Sequence, residues 1–439
     1  MNQLRKRWEN LRASLWFIPA LIVAGAVALA VGLIEVDLLG HRDRLVERWP
    51  RLFGAGAEGS RGLLSAIAGS MITVAGVTFS ITVVAMTLAS SQYTSRILRN
   101  FMRDRANQTV LGVFVGVFAY CLIVLRTIRG GDEGAFVPAL AVLVAVLLAL
   151  VAIGFLIYFI HHIAASLQAT NIIDSVATET LQAVDRLFPA EVGQPDDEQE
   201  GETLESEVEL ASRVWITIPA RKTGYIQGIA AEALLDVARR HSIVVRMERG
   251  IGDFVIEDSP LASVAGKQPD DDDVRQVNGA YSVGRHRTVH QDAGYGIRQI
   301  VDVALKALSP GINDTTTAVI CVDYLGAILA RLAARKVESP YRSEQGQLRL
   351  ICRGPTFASL LADAFDQIRQ NAAGNVAVLA RLLEVLAILA ARTADPKRHL
   401  ALLQHADLIA EAAERSVPLA HDRATIQAAR DRVFLRPPV

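Results

Sequence analysis

The sequence has few of the features from which enzymes and metal sites are usually recognised. Its three cysteines, Cys121, Cys321 and Cys352, stand at unrelated spacings and predict neither a disulfide framework nor a zinc site. It contains no phosphate-binding Walker loop, no GxSxG nucleophile elbow and no HExxH metalloprotease motif. We therefore expect a protein that is not an enzyme, with no catalytic residues, no metal site and no cofactor.

Net charge is also nearly absent. The 45 lysines and arginines balance the 46 acidic residues to give a net charge of −1, so no global field draws the chain to nucleic acid. Acidic residues are sparse inside the long apolar stretches, whereas proton pumps and coupled transporters usually carry them there. We expect no nucleic-acid partner, and the pattern disfavours a coupled transporter more than a channel.

Apolar residues are in excess, at 51% of the chain, and they are concentrated before residue 165. Four stretches approach or exceed the roughly 20 apolar residues that cross a bilayer: residues 15–39, 63–89, 109–128 and 136–160. The first follows Arg5, Lys6 and Arg7, but its apolar core is too long for a signal peptide and lacks a clear cleavage site. We predict a retained anchor and four transmembrane helices.

Orientation follows from the basic flanks of the spans. The N-terminus and the segment after the second span are both rich in arginine and lie on the same side of the membrane. The loop after the first span is also basic, so the bias is modest. We predict that both termini are cytoplasmic.

The part after the membrane divides into three segments by composition. The connecting helix and acidic linker cover residues 165–211, a small α+β module covers 212–268, and a mainly helical soluble domain covers 269–439, after a transmembrane domain at 1–164. Gly250 to Asp253 predict a hairpin turn. The acidic run at residues 270–273 predicts a helix N-terminus rather than a calcium loop.

Two long motifs resemble a known family. They are LASSQYTSRILRNFMRDRANQTVLGVF and RQIVDVALKALSPGINDTTTAV, and GYIQGI and GDFVIEDSPL fit as well. The family is that of bacterial predicted inner-membrane proteins grouped as domain-of-unknown-function 2254. The resemblance implies four membrane helices in the inner membrane and a large soluble C-terminal region, and it brings no established catalytic residues.

A stripe of small and hydroxyl residues runs along the second span. At about 100° per residue, one side of a helix collects the following positions: Thr73, Gly76, Val77, Ser80, Val84, Thr87 and Ser91. Such a stripe can pack helices closely, or it can line a wet pore with Val77 and Val84 as a dewetting gate. Both interpretations stay open at this point.

Arginines at helical spacing follow the second span. Arg96, Arg99 and Arg103 predict either an interfacial helix that binds anionic lipid headgroups or an electrostatic ring at a pore mouth. Membrane lipids are therefore expected partners.

The turn SPGIND separates two predicted helices, and it is either a simple helix stop and start or a ligand loop at a helix N-terminus. The ligand loop would comprise Ser309, Pro310, Gly311, Asn313 and Asp314.

Together these features favour a ring-forming homo-oligomer that conducts an ion or solute, with a soluble domain for assembly or ligand sensing. A non-conducting membrane scaffold is the main alternative. A membrane-surface enzyme that uses the Arg, Asp and His residues of 284–314 is a weaker one.

Overall fold

The structure is a computed structural model. It describes residues 16–38, 56–92, 104–129, 136–166, 168–188, 213–266, 268–335, 340–344 and 347–435. The chain divides into two compact units, Met1–Ile172 and Ile173–Val439.

Four long helices form the described part of the first unit. They are α1 (Phe17–Leu38), α2 (Ala57–Gln92), α3 (Arg105–Thr127) and α4 (Ala139–Ser166). Helix α3 is central and contacts the other three. Its buried side includes Phe114, Val117, Tyr120 and Val124. The apolar stretches predicted from the sequence therefore form the helices, and all four helices contribute to a common core around α3.

Two glycines let α1 approach α3. A Cβ added at Gly112 would lie 2.8 Å from Ile22 Cδ1 and 2.9 Å from Pro19 Cα, and one added at Gly116 would lie 3.4 Å from Ala26 Cβ. Glycines four apart on an apolar helix permit such close packing. This GxxxG pair is visible in the sequence.

Polar contacts fix one end of the four-helix unit. Asp37, at the end of α1, is buried, and its carboxylate accepts hydrogen bonds from the Leu140 and Ala141 amides at 3.3 and 3.2 Å. These amides belong to the first turn of α4, where a carboxylate is favourable. Arg61 at the start of α2 donates to the Ile128 carbonyl at 2.8 Å. These bonds link the end of α1 to the start of α4, and the start of α2 to the end of α3.

The second unit begins with helix α5 (Ala169–Leu187), which follows α4 after a short break. It continues with β1 (Trp215–Pro219), β2 (Gly224–Ile229), α6 (Ala231–His241), β3 (Val244–Met247), β4 (Phe254–Val255), β5 (Pro260–Ala265), α7 (Asp271–Ala280), β6 (Tyr281–Gly284), α8 (Ala293–Ala307), α9 (Thr315–Ala333), β7 (Tyr341–Glu344), β8 (Gln347–Ile351), α10 (Phe357–Asn371), α11 (Val376–Ala390), α12 (Pro396–Ser416) and α13 (Ala420–Phe434).

The strands form two small sheets. One has the order β1-β5-β3-β8-β7, in which β3 and β8 are parallel, and the other has the order β4-β2-β6. The prediction of a hairpin at Gly250–Asp253 was wrong. Strand β4 pairs with β2, with Tyr225 opposite Phe254, while β3 pairs with β5 and β8. The turn therefore connects two different sheets. The predicted domain limits remain predictions.

Caps explain where several helices of this unit begin. The Asp270 side chain accepts hydrogen bonds from the Asp272 and Asp273 amides. The Asp273 carboxylate in turn accepts a hydrogen bond from the Asp270 amide. This is a capping box, which satisfies amides that the first turn leaves free. Thr356 forms a second capping box at α10, and the side chains of Asp314 and Asn375 each accept from one first-turn amide of α9 and α11. The helix start predicted at the acidic run is confirmed.

The expected count of four membrane-compatible helices is one too few. Five described helices are long and apolar enough to cross a bilayer by length and composition, and the fifth is α9. The fifth differs because it packs among helices of the second unit. Its apolar residues fill that core, and its charged residues Asp323 and Arg331 form ion pairs with Arg381 and Asp185.

Candidate pore-lining face and the motif loops

Helix α2 has two opposite faces. One face is buried against the other helices of the first unit, and its members recur at helical spacing: Leu64, Ala68, Met71, Ala75, Thr78 and Ala85. The predicted stripe lies about 180° away on the same helix at 100° per residue. Val77 and Val84 on that stripe are 53% and 58% exposed. The stripe thus does not pack against the other described helices of the chain.

The hydroxyl groups of the stripe bond to their own helix. Thr73, Ser80 and Thr87 donate to the carbonyls of Gly69, Gly76 and Val83 at 2.8 to 2.9 Å. Each donor is therefore satisfied, and each oxygen keeps lone pairs that can still accept a bond. An outward row of satisfied hydroxyls can face water, a cation or another helix.

Glycines widen this face. A Cβ added at Gly62, Gly69 or Gly76 would meet nothing within 4 Å. The three glycines are seven residues apart, so they recur along the face at nearly every second turn. In contrast with Gly112 and Gly116 of α3, they have no described helix packed against them.

Not every predicted site residue is described. The backbone of Ser91 lies within α2, but its side chain is outside the described part of the structure. Arg96, Arg99 and Arg103 are also outside the described residues. Their predicted role in lipid or anion binding stays a prediction.

A histidine–carboxylate pair lies at the N-terminal end of α3. His162 Nε2 is 2.5 Å from Asp104 Oδ2, and the Tyr158 ring stacks on the imidazole with centroids 5.6 Å apart. Asp104 is also the N-cap of α3, because its Oδ1 accepts from the Ala106 amide. Next to this cap, Asn107 is 5% exposed, and its amide group has no hydrogen-bond partner within the described structure.

The SPGIND turn has a tightly bonded backbone. The Asn313 amide donates to Ser309, and the Asp314 amide donates to Ala307. Pro310 and Gly311 are exposed. Asn313 is in the left-handed region with a φ of 51°. The turn therefore ends α8 and redirects the chain into α9.

Asp314 fills the N-terminus of α9 with its own carboxylate. Its Oδ1 accepts from the Thr317 amide at 3.0 Å, and its Oδ2 accepts from the Thr317 hydroxyl at 2.6 Å. These bonds lower the pKa of the Asp314 carboxyl. An anion bound at this terminus would meet a negative charge. A ligand role for the loop stays a prediction.

Residues of the 284–314 segment are held in a salt bridge rather than in a metal cluster. Arg287 binds Asp292 through two bonds of 2.8 and 3.0 Å, and Asp292 also caps α8 through the Tyr295 amide. The neighbouring Asp363 carboxyl has a raised pKa because burial disfavours its charged form. In the described ranges, no group of three or more His, Cys, Asp or Glu residues could hold a metal ion.

Helix α5 packs closely against α8. A Cβ added at Gly296 would lie 2.8 Å from both Cβ and Cγ2 of Thr180, and closer still to its hydroxyl. Thr180 is fully buried on α5. Tyr324 of α9 donates to Asp174 at 3.1 Å. Residues of α8 and α9 on either side of the second motif therefore contact the helix that follows the last membrane span.

Known proteins support the membrane assignment. Residues 12–388 match the sequence profile of a family described as predicted membrane protein (DUF2254). The chain belongs to this family. The family description and the long apolar helices of this chain together make it a multi-pass membrane protein in contact with lipid.

Relatives of this family member occur in mycobacteria. Uncharacterized proteins of Mycobacterium bovis and Mycobacterium tuberculosis are each 32% identical over 445 residues, which cover 98% of this chain and 82% of the relative. No solved structure matches the chain.

Proposed function

We propose that the protein is a homo-oligomeric channel of the bacterial inner membrane, in which α2 from each subunit lines an ion-conducting or solute-conducting path. Both termini would be cytoplasmic, and the second unit would assemble the ring or sense a ligand. The supporting observation is the position of the stripe, which lies opposite the buried face of α2. No other described helix covers this row of hydroxyls and glycines, which supports a partner beyond the described helices.

Energetics favours water or another subunit over lipid as that partner. The hydroxyl donors are bonded within the helix, but their acceptor lone pairs gain nothing from hydrocarbon. Water in a path between subunits would restore bonds to those oxygens. Leucine, valine and phenylalanine would be the natural surface residues if the face met lipid alone.

Two valines supply a gate for this path. Val77 and Val84 are two turns apart on the stripe, and their exposed side chains would point to the axis. Rings of apolar side chains can close a narrow pore by dewetting. The hydroxyls of Ser80 and Thr87 would keep the neighbouring levels wet.

A non-conducting scaffold is the second candidate. The glycines at residues 62, 69 and 76 favour it, because small residues at regular spacing let helices of two subunits approach closely. In that arrangement the stripe would be buried between subunits and closed to water.

We propose a role without catalysis. Two acidic residues of the 284–314 segment, Asp292 and Asp314, serve as helix caps. The Arg287 guanidinium neutralises Asp292. Neither carboxylate is left available as a base or a nucleophile in this arrangement.

Cysteine accessibility tests the channel proposal. In a full-length variant with the three native cysteines replaced, Thr73→Cys, Ser80→Cys and Thr87→Cys should react with a small charged thiol reagent in the assembled protein. Met71→Cys and Ala75→Cys on the buried face are matched controls, and they should stay protected. The charged reagent does not enter hydrocarbon, so reaction reports water.

A leucine substitution separates the two candidates. Ser80→Leu should reduce flux while leaving the oligomer intact, because leucine is favourable in a membrane helix and blocks a narrow path. A scaffold predicts the reverse, since Gly76→Leu and Ser80→Leu would force helices apart. Protected stripe cysteines combined with lost assembly would leave the scaffold as the better account.

A further inference from the structure

A pocket opens between α1 and α3 at the end of the first unit where Asp37 caps α4. Its volume is about 540 Å³, within the range of roughly 300 to 1,000 Å³ that is typical of small-molecule sites. Its lining divides into a charged part and an apolar part. None of the residues that line the pocket belongs to α2, so the pocket is separate from the stripe that is proposed to line the conducting path.

Two arginines supply the charge. Arg126 and Arg129 both line the pocket, with Glu35 as the acidic residue beside them. Within the part of the chain that the structure describes, neither guanidinium has a hydrogen bond or an ion pair. Two guanidiniums and one carboxylate leave a positive excess. Arginine's planar array of donors is well suited to a phosphate group.

The backbone around these arginines is fixed. Arg129 and Phe136 form a two-way bridge, in which each amide donates to the other's carbonyl at 3.0 and 3.2 Å. The Ile128 carbonyl accepts from Arg61. The backbone that carries Arg129 is therefore held in place before any ligand arrives, which lowers the entropy cost of binding.

The apolar part faces the lipid side of α1. Val31 and Leu38 are 48% and 57% exposed, and Ile34 lies buried between them. These residues are within the last two turns of α1, where the apolar helix meets the headgroup level. A ligand here would place an anionic head on the arginines and an apolar tail along α1.

We propose that this pocket binds the phosphodiester headgroup of an anionic membrane phospholipid. Charge complementarity identifies the head, because neither arginine has a partner among the described residues. The apolar wall and the position at the helix ends identify the source as the bilayer rather than the aqueous phase. Basic pockets between transmembrane helices are known to accept anionic lipid headgroups. The favourable effect of Arg126 on the α3 dipole does not account for the second arginine or for the pocket.

Native mass spectrometry of the full chain in detergent tests the proposal. Phosphatidylglycerol should bind more tightly than phosphatidylcholine. The Arg126→Gln/Arg129→Gln double variant should weaken phosphatidylglycerol binding about tenfold or more. Arg105→Gln is the matched control, because it removes an exposed arginine at the opposite end of the same helix. Its affinity should equal that of the wild type.

A gain of affinity provides a second readout. Glu35→Gln removes the negative charge beside the site, so phosphatidylglycerol should bind up to about fivefold more tightly. Damage to the fold would not produce tighter binding. The proposal would be overturned by an unchanged affinity in the double variant, or by weaker binding in Glu35→Gln. Displacement of the lipid by millimolar inorganic phosphate would assign the site to a free anion instead.

Discussion

Substituting alanine for Gly296 tests the contact between α5 and α8. In a helix the change would ordinarily stabilise by about 1 kcal/mol, because glycine is a poor helix former. Here the new Cβ would lie 2.8 Å from Thr180 Cβ and Cγ2 and closer to its hydroxyl, and that side chain is fully buried. Overpacking costs about 1 to 3 kcal/mol, and contacts this short place Gly296→Ala in the upper half of that range. We expect a net loss of about 1 to 2 kcal/mol.

The thiol of Cys321 provides the assay. It is fully buried on α9, and burial raises its pKa, so it reacts only when the second unit opens. With Cys121 and Cys352 replaced, a loss of about 1 to 2 kcal/mol should raise the rate of modification by roughly 5- to 30-fold. The measurement uses the full chain in detergent.

Gly279→Ala is the matched control. Gly279 is also helical, but an added Cβ there would meet nothing within 4 Å, so that variant should react no faster than the wild type. Adding Thr180→Ala to Gly296→Ala should recover part of the loss, since it removes the hydroxyl and methyl that clash. If Gly296→Ala reacted no faster than Gly279→Ala, the close approach of α5 and α8 would be refuted.

Two further predictions concern pH and orientation. The Arg331 hydrogen bond holds the pKa of Asp185 below its ordinary value of 3.8, so its stabilising effect is present above that value and is lost as pH falls through the lower folded pKa. Because the Asp185 side chain is 42% exposed, the effect should not exceed about 1 kcal/mol. The unfolding midpoints of wild type and Asp185→Asn should therefore differ at pH 6 and converge below pH 4; a constant difference would contradict this. A cytoplasmic reporter fused after Val439 should be active, and activity of a periplasmic phosphatase there would reverse the orientation.

Local signals in the sequence predicted much of the fold. Long apolar runs predicted the four helices of the first unit, because a bilayer-length apolar segment has few other uses. The carboxylates at residues 270 and 314 predicted helix starts, because capping depends on neighbours only. These features need no knowledge of distant contacts.

Distant contacts explain what the sequence did not predict. Strand β4 pairs with β2 instead of β3, and β8 reaches β3 in parallel from far along the chain. A turn residue such as Gly252 does not show which strand the following strand will pair with. Helix α9 is as apolar as a membrane span because its side chains fill the core of the second unit. Composition alone does not separate these two causes.

Helical spacing grouped Thr73, Ser80 and Thr87 on one side of α2, and all three are exposed there, although their role in lining a pore stays a prediction. It could not tell which face packs inside the chain, since both carry small and hydroxyl residues. The difference lies in the bulky members Leu64 and Met71, which belong to the buried face.

Current through the purified protein in a planar bilayer tests the central claim most directly. A Ser80→Cys variant without native cysteines should show unitary currents, and a charged thiol reagent should reduce them in steps, because each subunit contributes one cysteine to the path. Ile72→Cys, on an exposed side of α2 away from the stripe, should conduct without change. Absence of unitary currents, or currents from Ser80→Cys that the reagent leaves unaltered while the cysteine is modified, would contradict a pore lined by α2.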